Sequence, residues 1–140
     1  MATVIDTNVL ITLWQADDPL GIAAQRALDA AQAAGSLVCP APVYAELMAS
    51  PVRTEASIDA FFGDSGIRID WHLSEAVWRA AGAAYQGYAK RRRQTTGGES
   101  RRILADFLIG AYASHHRARL LTLDQKTYRA AFPNLTIIKL

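Results

Sequence analysis

Residues 2–10 pass directly from a β-prone run into a helix and read Ala2-Thr3-Val4-Ile5-Asp6-Thr7-Asn8-Val9-Leu10. Residues 2–5 predict a short strand, because β-branched side chains favour an extended backbone. Asp6 ends this strand, and either Thr7 or Asn8 can begin a helix whose apolar residues continue to Trp14. The chain therefore opens with one strand that is followed at once by one helix.

The same alternation of strands and helices continues along the rest of the chain. Apolar periodicity predicts further helices at residues 22–34, 43–50, 55–62, 75–93, 104–112 and 125–132, and further strands at 36–39, 67–71, 120–122 and 135–138. Residues 63–66 are predicted as a turn and residues 94–100 as a flexible polar segment. This alternation favours an α/β fold in which right-handed crossovers place helices on both faces of a parallel sheet.

Length and composition indicate one folded domain, residues 1–140. The 140 residues are 51% hydrophobic and 20% charged, which is enough apolar material to close one core, and no internal repeat is found. Cys39 is the only cysteine, which excludes an internal disulfide and a cysteine metal cluster within one chain. Neither a signal peptide nor an apolar run of membrane-spanning length is found. We therefore expect a soluble cytoplasmic protein that does not associate with membranes.

Positive charge is concentrated in one part of the chain. The formal net charge is only +2, yet a short segment carries six of the fifteen Lys and Arg residues: Lys90, Arg91, Arg92, Arg93, Arg101 and Arg102. We expect these side chains to contact phosphates, because Arg binds phosphate in a forked geometry and each neutralised phosphate releases counterions. The alternative is a solvated helix end that the helix dipole favours.

Four of the thirteen acidic residues lie among apolar neighbours: Asp6, Glu46, Asp106 and Asp124. The first three are each the only charged residue in their own apolar stretch, and Asp124 follows the apolar residues 120–123. A buried carboxylate is costly unless a cation or several hydrogen-bond donors compensate it. Asp6 and Asp124 also follow predicted strands, and the carboxyl ends of parallel strands form the edge where such sheets bind ligands.

Two explanations account for these carboxylates. Each could be satisfied locally, Asp6 and Asp124 by capping a helix, and Glu46 or Asp106 by an Arg. Alternatively, all four share a hard divalent cation, since Mg²⁺ and Mn²⁺ take oxygen ligands. We favour the shared metal, because Lys and Arg are largely absent from the same segments and the fold brings strand ends together.

The four carboxylates lie in motifs that resemble, in order, the four signatures of PIN-domain nucleases. The motifs are Val4-Ile5-Asp6-Thr7-Asn8-Val9-Leu10, Val43-Tyr44-Ala45-Glu46-Leu47, Ala105-Asp106-Phe107-Leu108-Ile109-Gly110-Ala111 and Leu121-Thr122-Leu123-Asp124. The resemblance spans nearly the whole chain, whose size is similar to that of the VapC toxins. It implies a PIN-like three-layer α/β/α sandwich with a five-stranded parallel sheet, dependence on Mg²⁺ or Mn²⁺, RNA cleavage, a homodimer and inhibition by a cognate VapB-type antitoxin.

The resemblance also implies a role for each carboxylate. Asp6, Glu46 and Asp106 would bind the metal directly, and Asp124 would hold a second ion or a metal-bound water. The metal would activate water for in-line attack on a phosphodiester, so the products would carry a 5′-phosphate and a 3′-hydroxyl. The chain departs from the family pattern at Phe107, where a small residue is more usual, and at Tyr128, where Phe is common.

Two polar residues, Asn8 and Thr122, lie close to the carboxylates in the sequence. Asn8 and Thr122 could orient waters or carboxylates, but helix capping and strand-end hydrogen bonding explain them equally well. An inhibitory partner peptide is expected to insert an Arg or Lys among the carboxylates, because such a cluster attracts a guanidinium. Its apolar residues would fill a groove near Trp14, Phe61 and Phe62.

Two other functions compete with a nuclease. A haloacid-dehalogenase-like phosphatase would use Asp6 as its nucleophile, but that family requires a second Asp two positions later, where this chain has Asn8. A catalytically silent RNA-binding or regulatory PIN module is the other alternative. The complete set of four carboxylates argues against it, because a decaying site would be expected to lose members.

Overall fold

The computed structural model describes residues 1–96 and 104–140, which contain a five-stranded sheet with every strand parallel. The elements follow along the chain as β1 (Thr3–Ile5), α1 (Thr7–Trp14), α2 (Gly21–Ala34), β2 (Leu37–Pro40), α3 (Ala41–Met48), α4 (Glu55–Ser65), β3 (Arg68–Asp70), α5 (Glu75–Thr96), α6 (Leu104–His115), β4 (Arg119–Thr122), α7 (Gln125–Ala131) and β5 (Ile137–Lys139).

Strand β1 lies at the centre of the sheet, whose strand order is β3-β2-β1-β4-β5. Val4 pairs with Val38 of β2 on one side and with Leu120 of β4 on the other. Because all strands run the same way, their carboxyl ends share one edge of the sheet. Asp6 follows the last residue of β1 at this edge and is therefore surrounded by the ends of neighbouring strands.

Helices cover both faces of the sheet. Successive side chains of a strand point to opposite faces, yet every residue of β1 and of β2 is buried. Val4 and Ile5, which point to opposite faces, are both 0% exposed. This burial on two faces explains the continuous apolar runs of the strands and confirms the predicted α/β/α sandwich.

Helix α6 is the most deeply buried helix of the described residues, with residues 107–113 all buried. Phe107 fills the space between α6 and α5, where it stacks on Tyr85 with ring centroids 5.0 Å apart. The large side chain at this position therefore has a packing partner. Within the described residues, no helix combines the length and the hydropathy that crossing a membrane requires.

Several element boundaries differ from the sequence predictions by up to three residues. Helix α4 continues to Ser65 through the predicted turn, and Gly66 ends it at a φ of 76°, which glycine adopts without steric cost. Helix α5 continues to Thr96, three residues further than predicted. Pro40 closes β2 and caps α3. Local composition indicated where turns are possible, whereas packing decided how far each element extends.

Candidate metal centre

Asp6 joins the central strand to helix α1 and to strand β4. Its Oδ1 accepts a hydrogen bond from the Thr7 N–H at 2.8 Å and so caps α1, and its Oδ2 accepts one from Thr122 Oγ1 at 2.7 Å. The residue is only 2% exposed. The capping explanation is therefore correct for Asp6. Its donors Thr7 and Thr122 are neutral, however, and within residues 1–96 and 104–140 no ion pair offsets its buried charge.

Glu46 and Asp106 approach Asp6 from two other segments of the chain. Glu46 lies on α3, where its Oε1 accepts a hydrogen bond from Thr7 Oγ1 at 2.6 Å. Asp106 lies in the first turn of α6. One oxygen from each of the three carboxylates lies within 4.8 Å of the other two. The structure thus brings together the three residues that the sequence predicted as direct ligands.

Two of these carboxyl groups hold their protons more tightly than usual. Burial raises the pKa of Asp6 to about 6, although the hydrogen bond from Thr122 acts in the opposite direction. Burial, and then the negative charges of Asp6, Glu46 and Asp124, raise the pKa of Asp106 to about 7. Negative charge is therefore concentrated here beyond what the surrounding groups stabilise.

The cluster fits a small hard cation. The ion pairs that the described residues form with one another join Arg68 to Asp70 and Arg79 to Glu75, so neither neutralises the cluster. Octahedral Mg²⁺ holds its oxygen ligands at 2.0–2.1 Å, which places opposite ligands about 4.2 Å apart. The carboxylate oxygens of Asp6, Glu46 and Asp106 are at most 4.8 Å from one another, so small side-chain movements would bring them to the spacing of ligands around one ion. The donor set and its spacing are therefore suited to one divalent ion.

Asp124 lies beside this cluster rather than within it. Its Oδ1 accepts a hydrogen bond from the Thr127 N–H at 3.3 Å and caps α7, and the residue is exposed. Its charge nevertheless contributes to the raised pKa of Asp106. The capping explanation is therefore correct for Asp124, and the residue is near enough to act on the cluster electrostatically.

Thr122 and Asn8 connect the carboxylates to the sheet. Thr122 Oγ1 donates to Asp6 and accepts from the Asp124 N–H at 3.0 Å and from Asn8 Nδ2 at 3.5 Å. Asn8 Oδ1 accepts from the Leu123 N–H at 3.2 Å. Thr122 thus contacts a carboxylate directly, whereas Asn8 acts on Thr122 and on the backbone of the β4–α7 connection.

The hydroxyl of Tyr128 is a functional group of this site that the sequence did not predict. This side chain is 1% exposed, and its hydroxyl donates to Asp106 Oδ1 at 3.5 Å and also helps to lower the pKa of Asp6. Gly110 makes the position possible, because a Cβ there would lie 3.1 Å from Tyr128 Cδ1 and 2.4 Å from Phe132 Cε2. The available signal was the departure from Phe at this position, which adds one hydroxyl to an apolar helix face.

The basic segment is only partly covered by the structure. Lys90, Arg91, Arg92 and Arg93 lie near the C-terminal end of α5, and Arg91 and Arg92 line a cavity between α5 and α7. Arg101 and Arg102 lie outside the described residues. The four described residues of the segment therefore lie near a helix end, which is compatible with both explanations of its charge.

The predicted apolar groove near Trp14 is present but has a different composition. A cavity of about 280 Å³ is lined by Ile11, Trp14, Gln15 and residues 50–53. Trp14 packs edge-on against Phe61 with ring centroids 5.0 Å apart, and the guanidinium of Arg53 lies 4.3 Å from the centre of a Trp14 ring. Phe62 is 8% exposed and belongs to the core, so its expected place in the groove was wrong.

The fold and the site together define a class of protein: an α/β/α sandwich with an all-parallel sheet and an acidic cluster near the carboxyl ends of its strands. The chain belongs to the PIN-domain family, because the model of the PIN domain matches residues 3–133, which include all four motifs. This is a family of nucleases, and the cluster of Asp6, Glu46 and Asp106 fits a hydrolase that acts on nucleic acid. The phosphatase alternative is thereby excluded.

Solved structures share this fold at low sequence identity. The chain is 19% identical to a chain of VapBC2 from Rickettsia felis bound to a promoter DNA fragment, with a TM-score of 0.68 over 99% of this chain and 98% of that one. It is 22% identical to a chain of a toxin-antitoxin complex from Klebsiella pneumoniae (TM-score 0.67, 98% and 96%). It is 19% identical to a chain of VapBC-1 from nontypeable Haemophilus influenzae (TM-score 0.65, 99% and 98%). No curated protein sequence matched.

Proposed function

We propose that this protein is a divalent-metal-dependent endoribonuclease and the toxin of a VapBC-type toxin-antitoxin pair. The observation that carries the proposal is the convergence of Asp6, Glu46 and Asp106, which come from three separate segments and have oxygens within 4.8 Å of one another. Family membership supports a nuclease, and the likeness to VapBC proteins and to a toxin-antitoxin complex supports the toxin role.

In this proposal, Asp6, Glu46 and Asp106 hold Mg²⁺ or Mn²⁺. When bound, the ion lowers the pKa of a water molecule and offsets charge on the phosphate under attack. The burial of Asp6 strengthens its attraction for the cation, because the local dielectric is low. Asp124 adds a further negative charge next to Asp106, and we assign it to a hydrating water or to a second ion.

Hydroxyl groups of this chain orient the proposed ligands. Thr7 Oγ1 donates to Glu46 Oε1 at 2.6 Å, which leaves Oε2 for the metal. Both oxygens of Asp6 accept a hydrogen bond, from the Thr7 N–H and from Thr122 Oγ1, and each keeps a lone pair that a metal could use. Outer hydrogen bonds of this kind orient ligands and tune metal affinity. We therefore assign Thr7 and Thr122 to positioning, with Asn8 holding Thr122 in place.

We propose a VapB-type antitoxin as the partner, a homodimer as the assembled state and the cytoplasm as the location. An Arg of the antitoxin would compete with the metal, because a guanidinium forms strong pairs with clustered carboxylates. The cavity beside Trp14 would receive apolar residues of the same segment. Val52, at its rim, is 98% exposed with a φ of 67°, a conformation that β-branched residues rarely adopt.

The direct test is cleavage by purified protein with Mn²⁺, with Mg²⁺ or with EDTA. Total RNA and a single-stranded DNA of matched length are the substrates, and product ends are mapped. Cleavage of RNA with either ion, none in EDTA, and 5′-phosphate ends are expected. Cleavage that persists in EDTA, or that is confined to DNA, would overturn the proposal.

A matched pair of variants separates the site from general effects of charge. Asp6→Asn should abolish cleavage, because it removes a charged ligand while retaining the side-chain shape. Asp64→Asn makes the same chemical change at an exposed position on α4, outside the cluster, and should retain full activity. Equal activity of the two variants would show that the carboxylate cluster is not the active site.

A further inference from the structure

A second pocket lies between the C-terminal part of α5 and the first turns of α7. Its volume is about 240 Å³, and it is lined by Tyr88, Arg91, Arg92, Lys126, Thr127 and Ala130. The two walls come from segments that are far apart in the sequence. The pocket therefore exists only because α5 and α7 pack side by side.

Three cationic side chains line this pocket, and none of the described residues that line it is a carboxylate. Arg91 and Arg92 come from α5, and Lys126 comes from α7. Arg91 lies back along its helix, since a Cβ at Gly87 would be only 3.4 Å from Arg91 Nη1. Guanidinium groups bind phosphate through paired hydrogen bonds, and a lysine ammonium binds it as a point charge. The chemistry of the lining is therefore that of a phosphate site.

Both walls of the pocket adjoin the carboxylate cluster. On α7, the lining residue Thr127 donates its N–H to Asp124, and the next residue, Tyr128, donates its hydroxyl to Asp106. On α5, Tyr88 packs against Phe107, the neighbour of Asp106, with ring centroids 5.5 Å apart. A cationic pocket thus lies next to an anionic cluster that is suited to a metal ion. A nucleic acid strand presents the matching pattern, because charged phosphates follow one another along its backbone.

We propose that this pocket is a phosphate-binding subsite, which holds a backbone phosphate of the substrate strand near the phosphate that is cleaved. The inference rests on the proposed nuclease function and adds Lys126, which lies outside the basic segment identified in the sequence. It also divides that segment, because Lys90 and Arg93 are exposed and do not line the pocket. The subsite binds backbone and does not read bases.

The test measures RNA binding in EDTA, so that catalysis plays no part. Fluorescence anisotropy with a labelled single-stranded oligouridylate is recorded over a range of salt concentrations for the wild type, Lys126→Gln, Arg91→Gln and Arg79→Gln. Each phosphate contact contributes about 0.7 to the slope of log affinity against log salt for single strands. Lys126→Gln and Arg91→Gln should each reduce the slope by about that amount, which is about a fivefold weaker affinity at 0.1 M salt when the curves are matched at 1 M.

Arg79→Gln is the matched control, because it removes one charge from an exposed position on the same helix, α5, but outside the pocket. It should keep the wild-type slope. All of the substituted residues are exposed, so the variants are expected to fold, and equal melting temperatures would verify it. A reduction by Arg79→Gln as large as that by Lys126→Gln, or a wild-type slope for Lys126→Gln, would overturn the subsite.

A second measurement locates the bound phosphate. Once the cleavage position has been mapped, single linkages around it are replaced by uncharged methylphosphonates. One replacement close to the cleaved bond should weaken binding to the wild type, and Lys126→Gln should be insensitive to that same replacement. If every replacement affects both proteins equally, Lys126 contacts no particular phosphate and the proposal fails.

Failure of the subsite and failure of the nuclease function give different results. Wild-type protein that cleaves RNA with Mn²⁺, combined with an unchanged slope for Lys126→Gln, would refute the subsite alone. Wild-type protein that shows the expected slopes but cleaves no RNA would support phosphate binding in the pocket and refute the nuclease proposal.

Discussion

Replacing Asp106 with asparagine should stabilise the metal-free protein. Burial and the neighbouring carboxylates raise the pKa of Asp106 from 3.8 to about 7. The folded state therefore binds this proton more tightly than the unfolded state does, and stability is lost as the pH rises from about 4 to about 7. Asparagine has almost the same shape but does not ionise, so the variant avoids this loss.

The size of the effect follows from the pKa shift. The difference between 7 and 3.8 is about 3 units, and at 1.36 kcal/mol per unit it corresponds to ~4 kcal/mol for a fully buried group. Asp106 is only partly buried, and solvent screens part of the interaction, so we expect about 2 kcal/mol at pH 8. Near pH 4 the carboxyl group is largely protonated in both states, so the difference should approach zero.

The assay is urea unfolding in EDTA between pH 4 and pH 8, repeated with saturating Mn²⁺. Metal at about 100 times its dissociation constant adds about 2.7 kcal/mol to a protein that binds it only when folded. The wild type should gain this stability and the Asp106→Asn variant should not. With Mn²⁺ the wild type should therefore be the more stable protein, whereas in EDTA at pH 8 the variant should be. Asp64→Asn should follow the wild type in both conditions. An Asp106→Asn protein that is no more stable than the wild type at pH 8 in EDTA would refute the reasoning.

Three further predictions concern the same site. The affinity for Mn²⁺, measured by calorimetry, should decrease as the pH is lowered below about 7. The reason is that the ion must displace protons from Asp6 and Asp106, whose pKa values are about 6 and about 7. A pH-independent affinity would contradict these values. Tyr128→Phe should fold but bind Mn²⁺ several-fold more weakly, because Asp106 loses the hydrogen bond from the Tyr128 hydroxyl. An unchanged affinity would show that this hydroxyl does not position Asp106. Thr122→Val should lower the free energy of unfolding by about 1–3 kcal/mol, because Asp6 Oδ2 and the Asp124 N–H each lose their hydrogen bond to Thr122. Thr122→Ser should remain within about 1 kcal/mol of the wild type, and equal losses for the two variants would assign the effect to packing.

The sequence predicts the carboxylate cluster because the signal is local and chemical. Asp6 interrupts an apolar strand-to-helix passage, and Glu46 and Asp106 each lie alone in apolar helices. The parallel sheet then brings segments together at one edge, so strand-end residues need no detailed packing to be predicted as neighbours. The alternation of strands and helices predicts the sheet by the same kind of local pattern.

The remaining features depend on how distant helices pack. Tyr128 reaches Asp106 because Gly110 lets the rings of α7 approach the backbone of α6. Lys126 joins Arg91 and Arg92 only through the packing of α7 beside α5. Neither contact leaves a periodic signal in the chain. For Asp124 the sequence allowed either a helix cap or a metal ligand. The structure shows that it caps α7 and that its charge acts on Asp106.

The central position of β1 determines when during translation the proposed metal centre can form. Asp6 and Glu46 are made early, but the hydrogen bond from Thr122 to Asp6 joins residues 116 positions apart, and Asp106 also comes late. A chain halted before α6 carries two of the three clustered carboxylates, and its strand β1 lacks the neighbour β4. Nascent and truncated chains therefore cannot assemble the site.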